Sequence, residues 1–237
     1  MSASPILITG GAQRVGHYCA QRLLDDGHPL IVGYRREHAS LEALRRRGAI
    51  TLQGDFAERA GILDFIARLR DETQALRAIV HNAASWAADT EDDGSGAHFE
   101  RLFNVHMQAP YLINRHCREL LEACGEPQRD IVHITDHLAA RGMREHAAYA
   151  ATKAGLDNLT RSFAALYAPS IQVNAIAPGP VMLNGEDDGA IGEDARQHSA
   201  MGMVPGPGVI YQSLRYLLDN RFTTGVTLTV DGGSAGC

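Results

Sequence analysis

The chain of 237 residues has no basic excess, no paired cysteines and no long apolar run, and each lack narrows what it can be. With 22 Lys and Arg against 28 Asp and Glu, its formal net charge is −6. Contacts along a nucleic-acid backbone need a positive stripe, so that class of partner is disfavoured. Cys19, Cys117, Cys124 and Cys237 form no C-x-x-C pair, which indicates neither a zinc site nor a disulfide framework. The 11 histidines include no H-E-x-x-H or comparable set. His133 and His137 sit at a strand and its end, where a spacing of four does not bring side chains together as a helix would, so no metal is expected. Met1 to Pro5 lacks the basic start and apolar run of a secretion signal. The longest uncharged stretch, Ser162 to Gly185, is broken by Pro169, Gln172, Asn174, Pro178 and Pro180 and cannot form a membrane helix. The cytoplasm is the expected address.

What is present is alternation. Short apolar runs at Ile6–Ile8, Pro29–Tyr34, Ile50–Gln53, Ala78–His81, Asp130–Thr135, Ile171–Ile176 and Val226–Val230 read as strands. Helical patterns separate them: Val15 to Asp26 closed by Gly27, a helix capped by Ser40 and ended by Gly48, and one with Ile62, Phe65, Ile66 and Leu69 on one face. Further helices are expected near 98–124, 147–168 and 207–219. No linker, repeat or composition shift divides the chain. The pattern predicts a single α/β domain over 1–237, a Rossmann-type doubly wound sheet of seven mostly parallel strands with helices on both faces.

Directly after the first strand comes Thr9-Gly10-Gly11-Ala12-Gln13-Arg14-Val15-Gly16. Gly10 permits a tight turn off the strand, Gly16 a close approach of the following helix, and the helix start offers free N–H groups to a pyrophosphate. Such turns also occur as plain connections; the position between first strand and first helix favours dinucleotide binding. The second strand ends in Tyr34-Arg35-Arg36, where guanidinium groups suit a ribose 2′-phosphate and hence NADP. Glu37 argues the other way, and Arg46 and Arg47 show that arginines also occur here simply as surface charge.

Tyr149 and Lys153, four residues apart, fall on one face of a helix. A lysine charge beside a phenol lowers its pKa and eases proton transfer. Alone, this pair arises often by chance, as a core tyrosine beside a surface lysine. In one fixed order, however, the glycine-rich turn, His81-Asn82-Ala83-Ala84, the Tyr149–Lys153 pair, Pro178-Gly179 and Asp231-Gly232-Gly233 resemble the short-chain dehydrogenase/reductase family over essentially the whole chain. The resemblance implies hydride transfer with a nicotinamide nucleotide in a homotetramer. It further implies that Asp55 and Phe56 lie near the adenine, Asn82 and Ala83 beside the adenosine ribose, and Pro178, Gly179 and Val181 at the nicotinamide amide. Asp231 would serve either the site or a subunit interface.

Four departures narrow the match. Arg14 stands where the family usually has a glycine. Asp136 occupies the place of the usual serine, 13 positions before Tyr149. The turn after the fourth strand runs Ala84-Ser85-Trp86, and His106 replaces a common asparagine, with Asn104 two residues earlier. An ionised carboxylate only accepts hydrogen bonds, so Asp136 suits a substrate rich in N–H groups better than a ketone. Its neighbour Thr135 is the alternative hydroxyl, but adjacent strand side chains point to opposite faces. Arg14, Asp136 and Trp86 together resemble the pteridine reductases, the bacterial dihydromonapterin reductases most of all. That resemblance implies NADPH delivering hydride to C6 of a 7,8-dihydropterin while N5 gains a proton, with dihydrofolate as a further candidate. Trp86 would stack on the pterin rather than pack beneath a loop. Asp136 would accept from the pterin edge, Tyr149 and Lys153 would hold the nicotinamide ribose, and Arg14 would sit near both pyrophosphate and pterin. His106 would hold a water near Lys153, or be simply a half-buried helix histidine. The acidic run Asp89 to Gly94 reads as a solvated loop, and 184–203 as a mobile lid. Two competing readings are a generic carbonyl reductase, favoured if Thr135 faced the cleft, and a non-catalytic NADP sensor, disfavoured by the Tyr149–Lys153 pair.

Overall fold

Seven strands hydrogen-bond in the order β3-β2-β1-β4-β5-β6-β7, and all six pairings are parallel. They are β1 (Ile6–Thr9), β2 (Leu30–Tyr34), β3 (Ile50–Gln53), β4 (Ala78–His81), β5 (Asp130–Ile134), β6 (Gln172–Pro178) and β7 (Thr227–Val230). This computed structural model describes residues 3–90, 94, 96–183, 193, 196–197 and 199–234. Most of the expected lid, the acidic positions 91–93 and Cys237 lie outside the described residues. The helices are α1 (Arg14–Asp25), α2 (Ala39–Arg46), α3 (Arg59–Glu72), α4 (Ala97–Phe103), α5 (Ala109–His116), α6 (Arg118–Glu122), α7 (Ala147–Tyr167) and α8 (Gly208–Asp219).

Buried strands covered on both faces read as unbroken apolar runs, and β1 shows why. Leu7 packs with Phe65, Ile113 and Phe163 from α3, α5 and α7 on one face. Ile6 and Ile8 pack with Leu23, Leu44 and Leu214 from α1, α2 and α8 on the other. The strand order reverses direction between β1 and β4, so the crevice beyond their carboxyl ends is the place for a ligand in a sheet of this kind.

Two local expectations are corrected. Ser40 does not cap α2: the His38 ring accepts from Ser40 N at 3.3 Å, while the Ser40 hydroxyl donates to Ala12 O and so ties α2 to the glycine-rich turn. The helix expected over 98–124 is also not uniform. Pro110 has no N–H to bond His106 O, and the five residues Asn104–Gln108 before α5 widen into a π-helical turn. Cys117 then breaks the run before α6.

Candidate active site

The glycine-rich turn is held from across the switch point. Thr9 Oγ1 accepts from Asn82 N and Ala83 N, both at 3.1 Å, and Asn82 Nδ2 donates to Thr9 O and Gly10 O, also at 3.1 Å. Gly10 has φ +66°, and a Cβ there would sit 2.8 Å from Ala83 Cα. A Cβ on Gly16 would overlap the Gly10 carbonyl and the Asn82 amide, so both positions require glycine. Arg14 has φ +53°, the one non-glycine in the left-handed region among the described residues. It therefore keeps the backbone shape of the glycine it replaces and adds a guanidinium, which donates to Met182 O at 3.2 Å. α1 begins with no side-chain cap and no acid in its first turn, leaving its first amides facing the turn. Val15 packs partly buried against the core behind them. This backbone cradle fits a pyrophosphate.

Beyond β2, Arg35 and Arg36 are exposed, and Tyr34 receives a 3.4 Å hydrogen bond from Arg45 Nη2. Glu37, the argument against a 2′-phosphate, is bonded by Arg45 at 2.6 and 3.2 Å, and that bond holds its pKa down. Its charge is thus answered within the protein, and the exposed Arg35 and Arg36 are of a chemistry that fits a 2′-phosphate. Asp55 Oδ1 accepts from Ala57 N at 3.0 Å. Phe56 is buried edge-to-face on Phe65, so it offers backbone rather than ring to a ligand.

At the carboxyl end of β5 the reactive groups converge. Tyr149 OH donates to Asp136 Oδ2 at 2.8 Å, Leu138 N donates to Asp136 Oδ1 at 2.8 Å, and His137 Nδ1 lies 3.3 Å from the same oxygen. Burial works against ionisation of Asp136, but the bonds from His137, Leu138 N and Tyr149 and the charge of Lys153 outweigh it, and its pKa is lowered. Asp136 is thus an ionised acceptor. Lys153 Nζ donates to Ile134 O at 2.9 Å and lies 5.8 Å from the Tyr149 ring centre. Burial brings its pKa down to about 8 against the pull of Asp136. The expectation that lysine acidifies Tyr149 is corrected: burial, then the charge and hydrogen bond of Asp136, push that phenol up. Thr135 is turned away, its hydroxyl donating to Ile176 O at 3.2 Å, so Asp136 and not Thr135 faces Tyr149.

His106 is 1% exposed, and both its nitrogens are engaged. Nε2 accepts from Ser85 N at 3.0 Å, and Nδ1 pairs with Thr152 Oγ1 at 2.8 Å, whose hydroxyl donates to Tyr149 O at 2.8 Å. Burial, then Lys153, lowers its pKa to about 2, so it is neutral. Of the two readings of His106, the geometry favours the helix histidine: it joins the loop before Trp86 to the helix of Tyr149. Trp86 is 59% exposed, with its ring 4.5 Å from that of Tyr149, so it borders the cluster instead of packing beneath a loop. Across the cleft, Gly179 N donates to Val230 O at 2.9 Å, and a Cβ on Gly179 would meet Asp231. Pro178 O receives a 3.1 Å bond from His137, and Val181 is buried.

Sequence reasoning missed Thr9, His146 and Asp89. Thr9 carried a signal, standing directly before Gly10. Asp89 and His146 carried none, because Asp89 bonds Ala147 N and Ala148 N, and His146 bonds Ala87 O, across nearly sixty residues of chain. No group of three His, Cys, Asp or Glu is arranged for a metal among the described residues, and no described helix is long and apolar enough to cross a membrane.

The family described as enoyl-(acyl carrier protein) reductase matches residues 10–235. The dihydromonapterin reductase of Enterobacter sp. (strain 638) is 43% identical over 229 residues, covering 97% of this chain and 95% of that protein. The dihydromonapterin reductase of Klebsiella pneumoniae matches with the same identity and coverage. Among solved structures, FolM alternative dihydrofolate reductase 1 from Brucella suis in complex with NADP superposes with a TM-score of 0.88 at 26% identity, over 99% of this chain and 96% of that one. Identity at this level along nearly the whole length, on the same fold, means that the chain belongs to the short-chain dehydrogenase/reductase family, in the group of the dihydromonapterin reductases.

Proposed function

We propose that this chain reduces a 7,8-dihydropterin with NADPH, taking 7,8-dihydromonapterin to tetrahydromonapterin, and that dihydrofolate is a further substrate of the same site. The observation that carries this reading is the 2.8 Å bond from Tyr149 OH to an ionised Asp136. A ketone needs a hydrogen-bond donor at its oxygen, whereas this pair presents a carboxylate and a phenol whose proton the carboxylate holds. The N–H edge of a pterin is complementary to such an acceptor.

Bound NADPH supplies the hydride that reaches C6, and N5 takes a proton. Asp136 accepts N–H groups of the pterin edge and fixes which face of the ring is presented. Tyr149 and Lys153 hold the nicotinamide ribose, and Lys153, with a pKa near 8, keeps its charge at neutral pH. Arg14, Val15 and the Gly10–Gly16 turn take the pyrophosphate, Arg35 and Arg36 beside Tyr34 the 2′-phosphate. Asp55 and the Phe56 backbone border the adenine, Asn82 and Ala83 the adenosine ribose, and Pro178, Gly179 and Val181 the nicotinamide amide. Trp86 meets the pterin face, and His106 positions the loop that carries it.

The test follows NADPH oxidation in parallel with 7,8-dihydromonapterin, dihydrofolate and a panel of simple ketones, with NADH as control. Turnover confined to the dihydropterins and dihydrofolate supports the proposal. Ketone turnover without pterin turnover overturns it, and tight NADPH binding with no turnover would favour a sensor. A cytoplasmic homotetramer is part of the same proposal: Tyr111, Leu166, Tyr216 and Phe222 are all exposed and offer apolar surface to further copies. Light scattering that gave a monomer at working concentration would remove that part.

A further inference from the structure

Trp86 lies on a stretch without regular secondary structure, between β4 and α4, and an exposed side chain on such a segment is ordinarily free to change rotamer. Here it is not free. The backbone is tied on both sides of it, Ser85 N to His106 Nε2 at 3.0 Å and Ala87 O to His146 Nδ1 at 3.1 Å. The His146 ring also lies against the indole, with centroids 4.1 Å apart and planes at 33°. Two residues further on, Asp89 closes the attachment. Its N donates to Glu145 O at 2.8 Å, and its Oδ2 accepts from Ala147 N at 2.5 Å and Ala148 N at 3.4 Å, the first amides of the helix that carries Tyr149 and Lys153.

We infer that His146 is a positioning residue that sets substrate specificity, backing Trp86 so that two stacked rings, locked to the first turn of α7, form a prearranged platform for a flat heteroaromatic substrate. The inference rests on the reading of Trp86 as the ring that meets the pterin. One indole face is covered by His146, the Tyr149 ring approaches at 75°, and more than half of the residue stays exposed for a ligand. A side chain already fixed in its binding rotamer loses little freedom when substrate arrives, and the gain falls on substrate binding and not on the nucleotide. A flexible ketone, with no aromatic face to lay on the platform, gains nothing from it, so the device separates substrate classes.

Trp86 is the single tryptophan, and its fluorescence therefore reports on the platform alone. Three variants separate the ring from the hydrogen bond: His146→Ala removes both, His146→Phe keeps a ring, and His146→Gln keeps an N–H donor. Loss of one aromatic pair should raise KM for 7,8-dihydromonapterin about tenfold in His146→Ala. kcat and the Kd for NADPH should stay within about twofold. Emission anisotropy should fall in the same variant, and His146→Phe should restore most of both signals. Asp89→Ala should follow His146→Ala, while Asp89→Asn, which keeps an acceptor oxygen for Ala147 N, should resemble the unaltered protein. If Trp86→Ala raises the pterin KM but His146→Ala changes neither that KM nor the anisotropy, the inference is overturned while the stacking role stands. If Trp86→Ala itself leaves the pterin KM unchanged, the reading beneath it fails. A joint loss of kcat, NADPH affinity and unfolding midpoint in His146→Phe would also overturn it, making His146 a residue of the fold.

Discussion

β5 has a buried aspartate at its start and a half-buried one just past its end, and the two are bonded in opposite ways. Asp130, with a side chain 1% exposed, is bonded by Arg77 at 2.5 Å and by Gln128 at 3.0 Å. Arg77 in turn donates to Leu218 O at 2.8 Å and lies 3.4 Å from Glu126, so at this end of the sheet the groups answer one another within the protein. Asp136, with a side chain 19% exposed, is bonded by Leu138 N and by Tyr149, and no guanidinium shares it among the described residues. Burial pushes Asp130 up to about 6, against Arg77, whereas the donors around Asp136 overcome burial and hold it down. A closed pair fixes two strands together; a carboxylate whose partner is a phenol at the mouth of a cleft can exchange that partner for a ligand. On the function proposed above, the same residue type is structural at the end of the sheet without a ligand crevice and chemical at the carboxyl end, beside the crevice.

The largest effect expected from this contrast is on stability. Arg77→Met leaves Asp130 buried without its cation and should lower the unfolding free energy by about 3–5 kcal/mol in urea titrations at pH 7, with both KM values unmoved. A neutral Arg77→Met would erase the distinction between the two ends. At the open end, Asp136→Asn should leave the urea midpoint nearly unchanged while kcat/KM for the dihydropterin falls about 100- to 1000-fold. Asp136→Ser should sharpen the contrast further by bringing in ketone reduction, since a hydroxyl there can donate. Equal losses of stability from Asp136→Asn and Arg77→Met would mean that both aspartates are structural.

Between the two ends lies a third kind of polar burial. His81 pairs with Asn114 at 2.8 Å, Asn114 with His133 at 3.2 Å, and His133 with Thr160 at 2.8 Å, all inside the core. Burial lowers the pKa of His81 to about 4, of His106 to about 2 and of His133 well below its ordinary value. Below the ordinary histidine pKa of about 6.5 the unfolded chain takes up protons that these folded histidines refuse. Their contribution is therefore intact above that pH and is lost as pH falls, by up to about 1.4 kcal/mol per pH unit for each ring. Asp130 runs the other way between about 6 and 3.8, where the folded state binds a proton that the unfolded state does not. Urea midpoints measured at pH 7.5, 6.5 and 5.5 should decline most steeply below 6.5, and removing Asp130 by Arg77→Met/Asp130→Leu should make the decline steeper still. A midpoint flat over that range would contradict the neutral state of the three histidines.

The fold was largely legible because both faces of the sheet are covered: seven apolar runs separated by helical periods leave few topologies, and strand limits differ from expectation by a residue or two. The π-helical turn was not legible, since Pro110 announces an interruption but not its form. Within the site, residues adjacent in sequence to a turn or a strand end were readable, among them Gly10, Gly16, Asp136 and the Tyr149–Lys153 pair. Protonation was not. The spacing of Tyr149 and Lys153 says nothing of the burial of the phenol or of the Asp136 oxygen that reaches it, and burial first, then that contact, push its pKa up. The two readings of His106 could not be separated in the sequence for a related reason, because its two partners, Ser85 and Thr152, are set by tertiary packing.

The smallest effect concerns the two arginines that complete the comparison. Arg77 is 7% exposed and bonded on several sides; Arg14 is exposed and has a single described bond, to Met182 O. Removing Arg77 should therefore cost stability, and removing the Arg14 side chain should cost binding. Arg14 also holds φ +53°, a conformation that costs an L-residue roughly 1–2 kcal/mol and glycine almost nothing. Arg14→Gly and Arg14→Ala remove the same guanidinium and should raise the KM values for NADPH and dihydropterin alike, by about fivefold for one lost charge-assisted contact. They should nonetheless part in stability, glycine exceeding alanine by about 1 kcal/mol in urea titrations, because only alanine retains the backbone strain. If the two variants unfold at the same midpoint, the left-handed turn relaxes once the side chain is gone. Arg14 would then hold that conformation through its bond to Met182, and the turn would be shaped by the arginine and not by the glycine geometry it inherits.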